Sequence, residues 1–170
     1  MQIIKQDKRS HVYFDEQNDT YIKLFFPSFS KKIKYFFRLR KYPGYNFKYI
    51  SDRLNKLGIN TPSIIKYDKY SVTTKNIKGV SLEKYIKNDY THPIIDDFIK
   101  IITIILKHRF FYGDFSLDNF IVKNNKIYAI DLEDYRKEFL FAHSIHYTLK
   151  RMKGKMPDAI IEKIKKEVLK

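Results

Sequence analysis

Three oxygen-bearing side chains stand at short, definite intervals in the second half of the chain. Asp114 precedes Asn119 by five residues, and Asp131 follows Asn119 by twelve, at the end of an apolar run. Asn119 offers an amide oxygen and Asp131 a carboxylate, and Mg²⁺ takes oxygen ligands in an octahedron that usually includes few protein side chains. Phosphoryl transfer needs such cations on the phosphate oxygens and a positioned hydroxyl, with little covalent chemistry from the protein. The triplet therefore predicts a magnesium site of the kind that phosphoryl transfer uses.

The residues between Asn119 and Asp131 indicate how these two side chains can meet. Residues 120–122 and 127–130 are apolar, and they flank the turn Lys123-Asn-Asn-Lys126. Asn tolerates a positive φ, so a pair of Asn residues favours a tight hairpin turn. Because a hairpin returns the chain to its start, we expect Asp131 to lie beside Asn119.

Two segments near the N-terminus have the alternation of β-strands. Residues 10–14 and 20–26 flank a polar turn, and in the second run Tyr21, Lys23 and Phe25 share one face. A lysine in mid-strand with aromatic neighbours is unusual. Either its ammonium group reaches a ligand, or its stem lies along a partly solvated face.

The rest of the chain alternates between helices and short strands. Residues 46–57 carry apolar side chains at helical spacing up to Gly58, and Pro93 opens a second helical pattern that runs to about Arg109. The other predicted elements are strands at 63–67 and 70–74, a crossover at 77–80 and helices at 139–151 and 157–170. The pattern predicts an α+β fold in one domain.

This order of elements resembles the protein-kinase-like fold, which is two-lobed, with a small antiparallel-sheet N-lobe and here a minimal, mostly helical C-lobe. Within that fold the chain is most similar to the small bacterial kinases that phosphorylate heptose and Kdo in the lipopolysaccharide core. The segments that carry the resemblance are Gly58-Ile-Asn-Thr-Pro62, Ile77-Lys-Gly-Val-Ser-Leu82, Gly113-Asp-Phe-Ser-Leu-Asp-Asn-Phe-Ile-Val122 and Ile130-Asp-Leu-Glu-Asp134. The resemblance implies one kinase-like domain over residues 1–170, with the N-lobe at 1–76, the hinge at 77–80 and the C-lobe at 81–170.

The same resemblance implies a reaction and a role for each candidate residue. The chain would use ATP and Mg²⁺ to move a γ-phosphate to a hydroxyl, most closely a sugar hydroxyl of the lipopolysaccharide core. Asp114 would be the catalytic base, and Lys23 would bind the nucleotide phosphates. Asn119 and Asp131 would bind the metal and, through it, the nucleotide.

The sequence departs from the pattern of kinase-like proteins in two groups that would surround the phosphates. No glycine precedes Gly44, so the glycine-rich phosphate loop is absent, and residues 6–10 stand in its place with Lys8 and Arg9 as phosphate contacts. Ser116 stands where a cationic or His side chain often neutralises charge in the transition state. Without that cationic side chain the reaction would be slower, or another cation would have to neutralise the charge.

A third departure concerns the partner of Lys23. The predicted 46–57 helix lacks the expected Glu, and its single acid, Asp52, points about 180° away from the apolar stripe. We therefore expect Lys23 to be held by Asp131 and by the nucleotide instead. These losses keep open a non-catalytic, pseudokinase-type module that binds nucleotide or nucleic acid.

The formal net charge of +15 is concentrated in the first half of the chain. Residues 1–80 hold 17 Lys and Arg against 6 Asp and Glu, and residues 31–41 hold six basic residues and no acid. We expect an exposed basic patch at 31–41, with Phe36 or Phe37 turned inward. Such a patch suits an anionic glycan or lipid-linked oligosaccharide acceptor and peripheral contact with the inner face of a membrane, and suits nucleic acid less well.

Cellular location and two further functions complete the expectations. The chain has no Cys and no long apolar run, which favours a cytoplasmic protein, with peripheral binding at the inner membrane as an option. An atypical small protein kinase similar to that of the tRNA-modifying KEOPS complex stays open and would use the basic surface for tRNA. Antibiotic phosphorylation fits less well, because cationic aminoglycosides need an acidic groove.

Overall fold

The computed structural model describes residues 1–111, 114–137 and 145–170, and the first part of this chain is built around one antiparallel sheet. The strands follow the order β1-β2-β3-β5-β4, and each neighbouring pair is antiparallel. Two helices lie between the third and fourth strands. The elements are β1 (Gln2–Gln6), β2 (Ser10–Asp15), β3 (Thr20–Phe25), α1 (Phe29–Phe36), α2 (Pro43–Lys56), β4 (Ile64–Tyr67) and β5 (Ser71–Lys75).

Strand β3 is central in this sheet and carries the lysine singled out above. Lys23 stands opposite Val12 on β2 and Val72 on β5, so its backbone is paired on both sides. The predicted strands at 10–14 and 20–26 are confirmed within a residue. Strand β1 was not predicted, because all of its residues are exposed and give no buried periodicity.

Helix α1 was also not predicted, and it corrects one expectation. Tyr35 is its buried residue, while Phe36 and Phe37 are both exposed. The expectation that Phe36 or Phe37 turns inward is therefore wrong. Successive helical residues are rotated by about 100°, so a helix that buries Tyr35 turns Phe36 outward.

Helix α2 begins three residues before the predicted start and connects the sheet to the second half of the chain. Pro43 occupies its first turn, where a missing N–H costs nothing. A Cβ at Gly44 would overlap the Asp68 and Ser71 carbonyl oxygens, so only glycine allows this close approach to the turn between β4 and β5. Phe47, Ile50 and Leu54 form the predicted buried stripe.

The second half contains short strands and the main helical core. Its strands form a three-stranded sheet in the order β6-β8-β9 and a pair of β10 with β7. Its elements are β6 (Val80–Ser81), α3 (Leu82–Ile86), α4 (Ile94–Lys107), β7 (Phe110–Phe111), β8 (Phe120–Lys123), β9 (Lys126–Ala129), β10 (Arg136–Lys137), α5 (Ile145–Met152) and α6 (Asp158–Leu169). The predicted helix at 139–151 is confirmed from Ile145 onward, and its residues 139–144 lie outside the described residues.

Helix α4 is the centre of the core in this half. Its buried stripe packs against α6, and the Phe98 ring meets the Phe120 ring of the hairpin edge-on, at 5.0 Å between centroids. The prediction of a helix from Pro93 to about Arg109 is confirmed, with an apolar face of Ile95, Phe98, Ile99, Ile102, Ile105 and Leu106. Among the described residues, no helix is long and apolar enough to cross a membrane.

The predicted hairpin is formed by β8 and β9. Asn124 and Asn125 both have positive φ, of 48° and 57°, which is the backbone that a two-residue turn of type I′ requires. After the turn, the Ile130 N–H donates to the Asn119 carbonyl oxygen at 3.0 Å. The hairpin therefore returns the backbone of Asp131 to the neighbourhood of Asn119, as the sequence predicted.

The crossover at 77–80 packs directly onto this hairpin. A Cβ at Gly79 would lie 2.7 Å from the Ile121 side chain and would also overlap the Val122 carbonyl oxygen. Val80 then pairs with Val122 as β6 begins. Glycine thus lets the link between the two halves lie against the strand that follows Asn119.

Candidate active site

One pocket of about 1040 Å³ contains all four candidate site residues, which are Lys23, Asp114, Asn119 and Asp131. Its lining comes from the five-stranded sheet, from the 77–79 crossover and from the segments around the hairpin. The structure thus brings together residues that are more than a hundred positions apart in the sequence.

Lys23 crosses from the sheet to the end of the hairpin. Its Nζ lies 2.8 Å from Asp131 Oδ1 and 2.6 Å from Glu133 Oε1. The side chains of Lys23 and Glu133 are only 13% and 14% exposed, so the contact is largely shielded from water. The expectation that Asp131 holds Lys23 is confirmed, and Glu133 is a second partner that the sequence analysis missed.

Glu133 supplies the carboxylate that helix α2 lacks. Asp131 has a left-handed backbone with φ of 59°, and a 3₁₀ turn over Leu132–Asp134 follows it. This turn brings a carboxylate two residues along the chain back to the same lysine. Asp52 instead binds Lys48 at 2.6 Å on the outer face of α2, as the helical phase predicted.

Helix α2 contacts this segment through a different residue. The Asn46 amide donates to the backbone carbonyl oxygens of Glu133 at 2.8 Å and Tyr135 at 2.9 Å. The helix therefore positions the backbone that carries Glu133 and leaves the contact with Lys23 to the Glu133 side chain. A sequence signal for this contact exists, because Asn46 stands four residues before Ile50 and so lies near the apolar stripe of the helix.

The electrostatics of this cluster follow from burial and from one cation between two carboxylates. Burial by itself lowers the pKa of Lys23, but Glu133 and Asp131 more than offset it and raise the pKa. Burial also raises the pKa of Glu133, against the attraction of Lys23. Among the described residues, the buried Oε2 of Glu133 has no hydrogen-bond partner. Lys23 therefore stays protonated, while Glu133 is costly to keep ionised without it.

Asn119 is oriented by the residue that begins the same loop. Its amide nitrogen donates to the Asp114 carbonyl oxygen at 2.9 Å, so a metal ligand at Asn119 would be its amide oxygen. Within the described residues, no three His, Cys, Asp or Glu side chains form a metal-binding group. Asn119 and Asp131 carry oxygen ligands of the type that Mg²⁺ prefers, and further ligands would have to come from phosphate and water.

Asp114 has a cationic partner from far along the chain. Lys155, in the turn between α5 and α6, places Nζ 2.6 Å from Asp114 Oδ1. Sequence reasoning missed this lysine, because nothing near residue 155 distinguishes it from the many other lysines. Lys155 brings a positive charge to the Asp114 carboxylate, and the nearby Ser116 has no such charge.

The loop between β1 and β2 forms another part of the pocket lining. The Asp7 carboxylate accepts the backbone N–H groups of Arg9 at 2.7 Å and Ser10 at 2.8 Å. The Arg9 bond is the main cause that lowers the pKa of Asp7. This side chain closes the turn without glycine, and Lys8 and Arg9 line the pocket.

Comparisons with known proteins identify the fold. No family model and no curated protein sequence matches the chain. Among solved structures, the Rio2 kinase–ADP/Mg²⁺–phosphoaspartate complex from Chaetomium thermophilum is similar, with a TM-score of 0.64 and 14% identity over 98% of this chain and 55% of that chain. Another structure of the Rio2 kinase from the same organism gives 0.60 and 13%, over 99% and 63%. The chain thus has a kinase-like fold and spans a little over half the length of these kinases.

The Lys23 cluster predicts an unusual response to mutation. Lys23→Met should lower the free energy of unfolding by on the order of 3 kcal/mol near neutral pH, because the shielded Glu133 carboxylate and the partly exposed Asp131 carboxylate lose their counter-charge. Adding Glu133→Gln should restore most of the loss. The exposed pair offers a matched control, since Lys48→Met should cost less than about 0.5 kcal/mol. Urea unfolding followed by circular dichroism measures all of these.

The stability loss of Lys23→Met should also depend on pH in a definite direction. In the Lys23→Met protein the pKa of Glu133 stays raised, so the folded state binds a proton more tightly than the unfolded state does. Stability is then lost as the pH rises from the ordinary Glu pKa toward the raised value. The defect should be smaller at acidic pH than at alkaline pH. A defect that neither varies with pH nor is rescued by Glu133→Gln would contradict this description of the cluster.

Proposed function

We propose that this chain is an ATP-dependent kinase that transfers the γ-phosphate to a hydroxyl group. The observation that carries the proposal is the convergence of Lys23, Asp114, Asn119 and Asp131 on one pocket in a kinase-like fold. Each of the four has the side-chain chemistry that phosphoryl transfer requires: a cation, a base and two metal ligands.

The nucleotide would lie between the two halves of the chain. Residues 1–76 would act as the N-lobe, 81–170 as the C-lobe and 77–80 as the hinge that binds the adenine edge through its backbone. The apolar side chains of Ile121 and Ile130 line the same pocket and would enclose the adenine ring. The similarity of the fold to a Rio2 kinase complex with ADP and Mg²⁺ supports nucleotide binding.

The phosphates would meet cations from the sheet side of the pocket. Lys23 would bind them directly, with help from Lys8 and Arg9 in the loop that replaces the glycine-rich one. Asn119 and Asp131 would hold Mg²⁺, which neutralises charge on the phosphate oxygens. Because Glu133 also binds Lys23, the lysine would keep a partner if Asp131 bound the metal.

Transfer itself would need two further groups. Asp114 would accept the proton of the acceptor hydroxyl. The hydroxyl oxygen would bond to the γ-phosphorus while the bond from that phosphorus to ADP breaks. Lys155, which already contacts Asp114, would offset the negative charge on the transferring group. It would take the task left vacant by Ser116.

We propose a sugar hydroxyl of an anionic core oligosaccharide as the acceptor. The support is the net charge of +15 and the basic residues of α1, because cationic surfaces retain phosphorylated glycans. An atypical protein kinase is the second candidate, and the similarity to the Rio2 kinase favours it. Acceptor profiling with labelled ATP separates the two. Label that stays on this chain and is released by hydroxylamine would instead indicate a phosphoaspartate of its own.

The assignment of Asp114 is tested by its isosteric amide. Asp114→Asn should reduce turnover by roughly 10²- to 10⁴-fold, because the base is lost, and should leave ATP affinity within about twofold. The matched control is Asp118→Asn, an exposed carboxylate in the same loop. Turnover with labelled ATP and calorimetric ATP binding are the measurements. Wild-type turnover in Asp114→Asn would overturn the assignment, and ATP binding without turnover on any acceptor would favour the non-catalytic module.

The role of Lys155 is tested against a neighbour in the same turn. Lys155→Met should reduce turnover by about a hundredfold with little change in ATP affinity, since its charge acts on the transition state. Lys155→Arg should recover part of the rate, and Lys153→Met should behave as wild type. If Lys155→Met turned over faster, the contact with Asp114 would be blocking the base.

A further inference from the structure

Helix α1 exposes the side that a surface helix normally buries. Phe29 is 78% exposed and Phe36 is 77% exposed, and Ile33 lies between them at one helical turn from each. Positions i, i+4 and i+7 share one face, so these three side chains form a continuous apolar stripe. Phe37 and Leu39 extend it beyond the end of the helix and are also mostly exposed.

The opposite side of α1 is the one that packs on the protein. Tyr35 is buried there against the Tyr42 ring, at 5.3 Å between centroids. Lys31 reaches Asp134, with 3.4 Å between Nζ and Oδ1. The phase of the helix is therefore fixed by its inward contacts, and the apolar stripe faces away from the core.

Basic residues surround the stripe on its exposed sides. Lys32 lies beside it on the helix and Lys34 is exposed farther round the helix, and Arg38, the partly buried Arg40 and Lys41 follow after the helix ends. Residues 20–51 contain no Asp or Glu, so no acid of this segment offsets these charges. The surface is both apolar at its centre and cationic at its rim.

We propose that this surface, residues 29–41, docks on an anionic lipid bilayer. An interfacial helix inserts apolar side chains at the level of the headgroups while its cations meet anionic lipids. Charge complementarity selects an anionic partner, and the stripe selects one with an apolar interior. Single-stranded nucleic acid is anionic too, but its bases stack on aromatic side chains, and this mode of binding does not explain the aliphatic side chains of Ile33 and Leu39.

Docking in this orientation would bring the pocket close to the membrane surface. Ser28, Lys31 and Tyr35, on the inward side of α1, belong to the pocket lining. The proposal does not depend on the proposed kinase activity, because lipid binding is measured without nucleotide. If the kinase proposal also holds, docking would place the pocket near an acceptor that is linked to a lipid.

The test is co-flotation of the whole chain with vesicles of phosphatidylcholine, alone or mixed with phosphatidylglycerol. Binding should require phosphatidylglycerol and should weaken steeply with salt. The triple variant Phe29→Ser, Phe36→Ser, Phe37→Ser should bind at least about tenfold more weakly. Reversal of Lys32, Lys34 and Arg38 to Glu should cost roughly a hundredfold or more, since each charge near the surface contributes about fivefold or more.

Two matched controls separate this surface from general effects of charge and hydrophobicity. Reversal of Lys163, Lys165 and Lys166 on α6 to Glu changes the net charge equally, and Ile65→Ser with Tyr67→Ser removes exposed apolar groups from β4. Both controls should bind vesicles as wild type does. Circular dichroism should show that all variants keep the fold, because the changed residues are exposed.

Three results would overturn the proposal. The first is vesicle binding that both α1 variants retain. The second is binding of oligouridylate, without vesicle binding, that the α1 variants lose. The third is a dimer in analytical ultracentrifugation that dissociates in the Phe→Ser variant, because a second copy would then cover the stripe.

Discussion

The contact of Lys23 with Asp131 and Glu133 is the interaction on which the site depends. It joins the central strand of the sheet to the end of the β8–β9 hairpin through 2.8 Å and 2.6 Å contacts. Because a largely shielded lysine is stable only with its counter-charges, this contact ties the sheet to the segment that follows the hairpin. Asn46 adds a second connection, from α2 to the backbone of the same acidic segment.

Several charged groups of the pocket come from elements other than those that the resemblance implied. The carboxylate beside the strand lysine comes from Glu133, two residues past Asp131, where the α2 helix offers only the outward-facing Asp52. Asp7 closes the first loop in place of glycines, and Lys155 brings a cation to Asp114. Glu133 and Lys155 keep the type of charge at their places in the pocket while changing the element that supplies it, whereas Asp7 closes a turn with a side chain.

The sequence predicted those parts of the site that depend on local structure. Asn119 and Asp131 could be linked because an Asn pair specifies the turn between them, and Asp52 could be excluded because helical phase is a local property. Glu133 was missed because a left-handed Asp131 reverses the chain there, which no periodicity signals. Lys155 meets Asp114 only through the tertiary packing of α5 and α6. Helix α1 was missed because its segment was interpreted as a basic patch alone, although Phe29, Ile33 and Phe36 stand at helical spacing. The assumption that aromatic side chains are buried then gave Phe36 and Phe37 the wrong orientation.

The central proposal is that Asn119 and Asp131 bind ATP through a metal ion. Calorimetric titration of the protein with ATP, once in the presence of Mg²⁺ and once in the presence of EDTA, tests it most directly. Binding should require Mg²⁺ and should weaken by at least about tenfold in Asn119→Ala, which removes one of two protein ligands, and in Asp131→Asn, which replaces the charged carboxylate ligand with a neutral amide. Asp134→Asn, a neighbouring carboxylate that pairs with Lys31 at the surface, is the matched control and should bind as wild type. Equal affinity in EDTA, or wild-type affinity in both ligand variants, would contradict the claim.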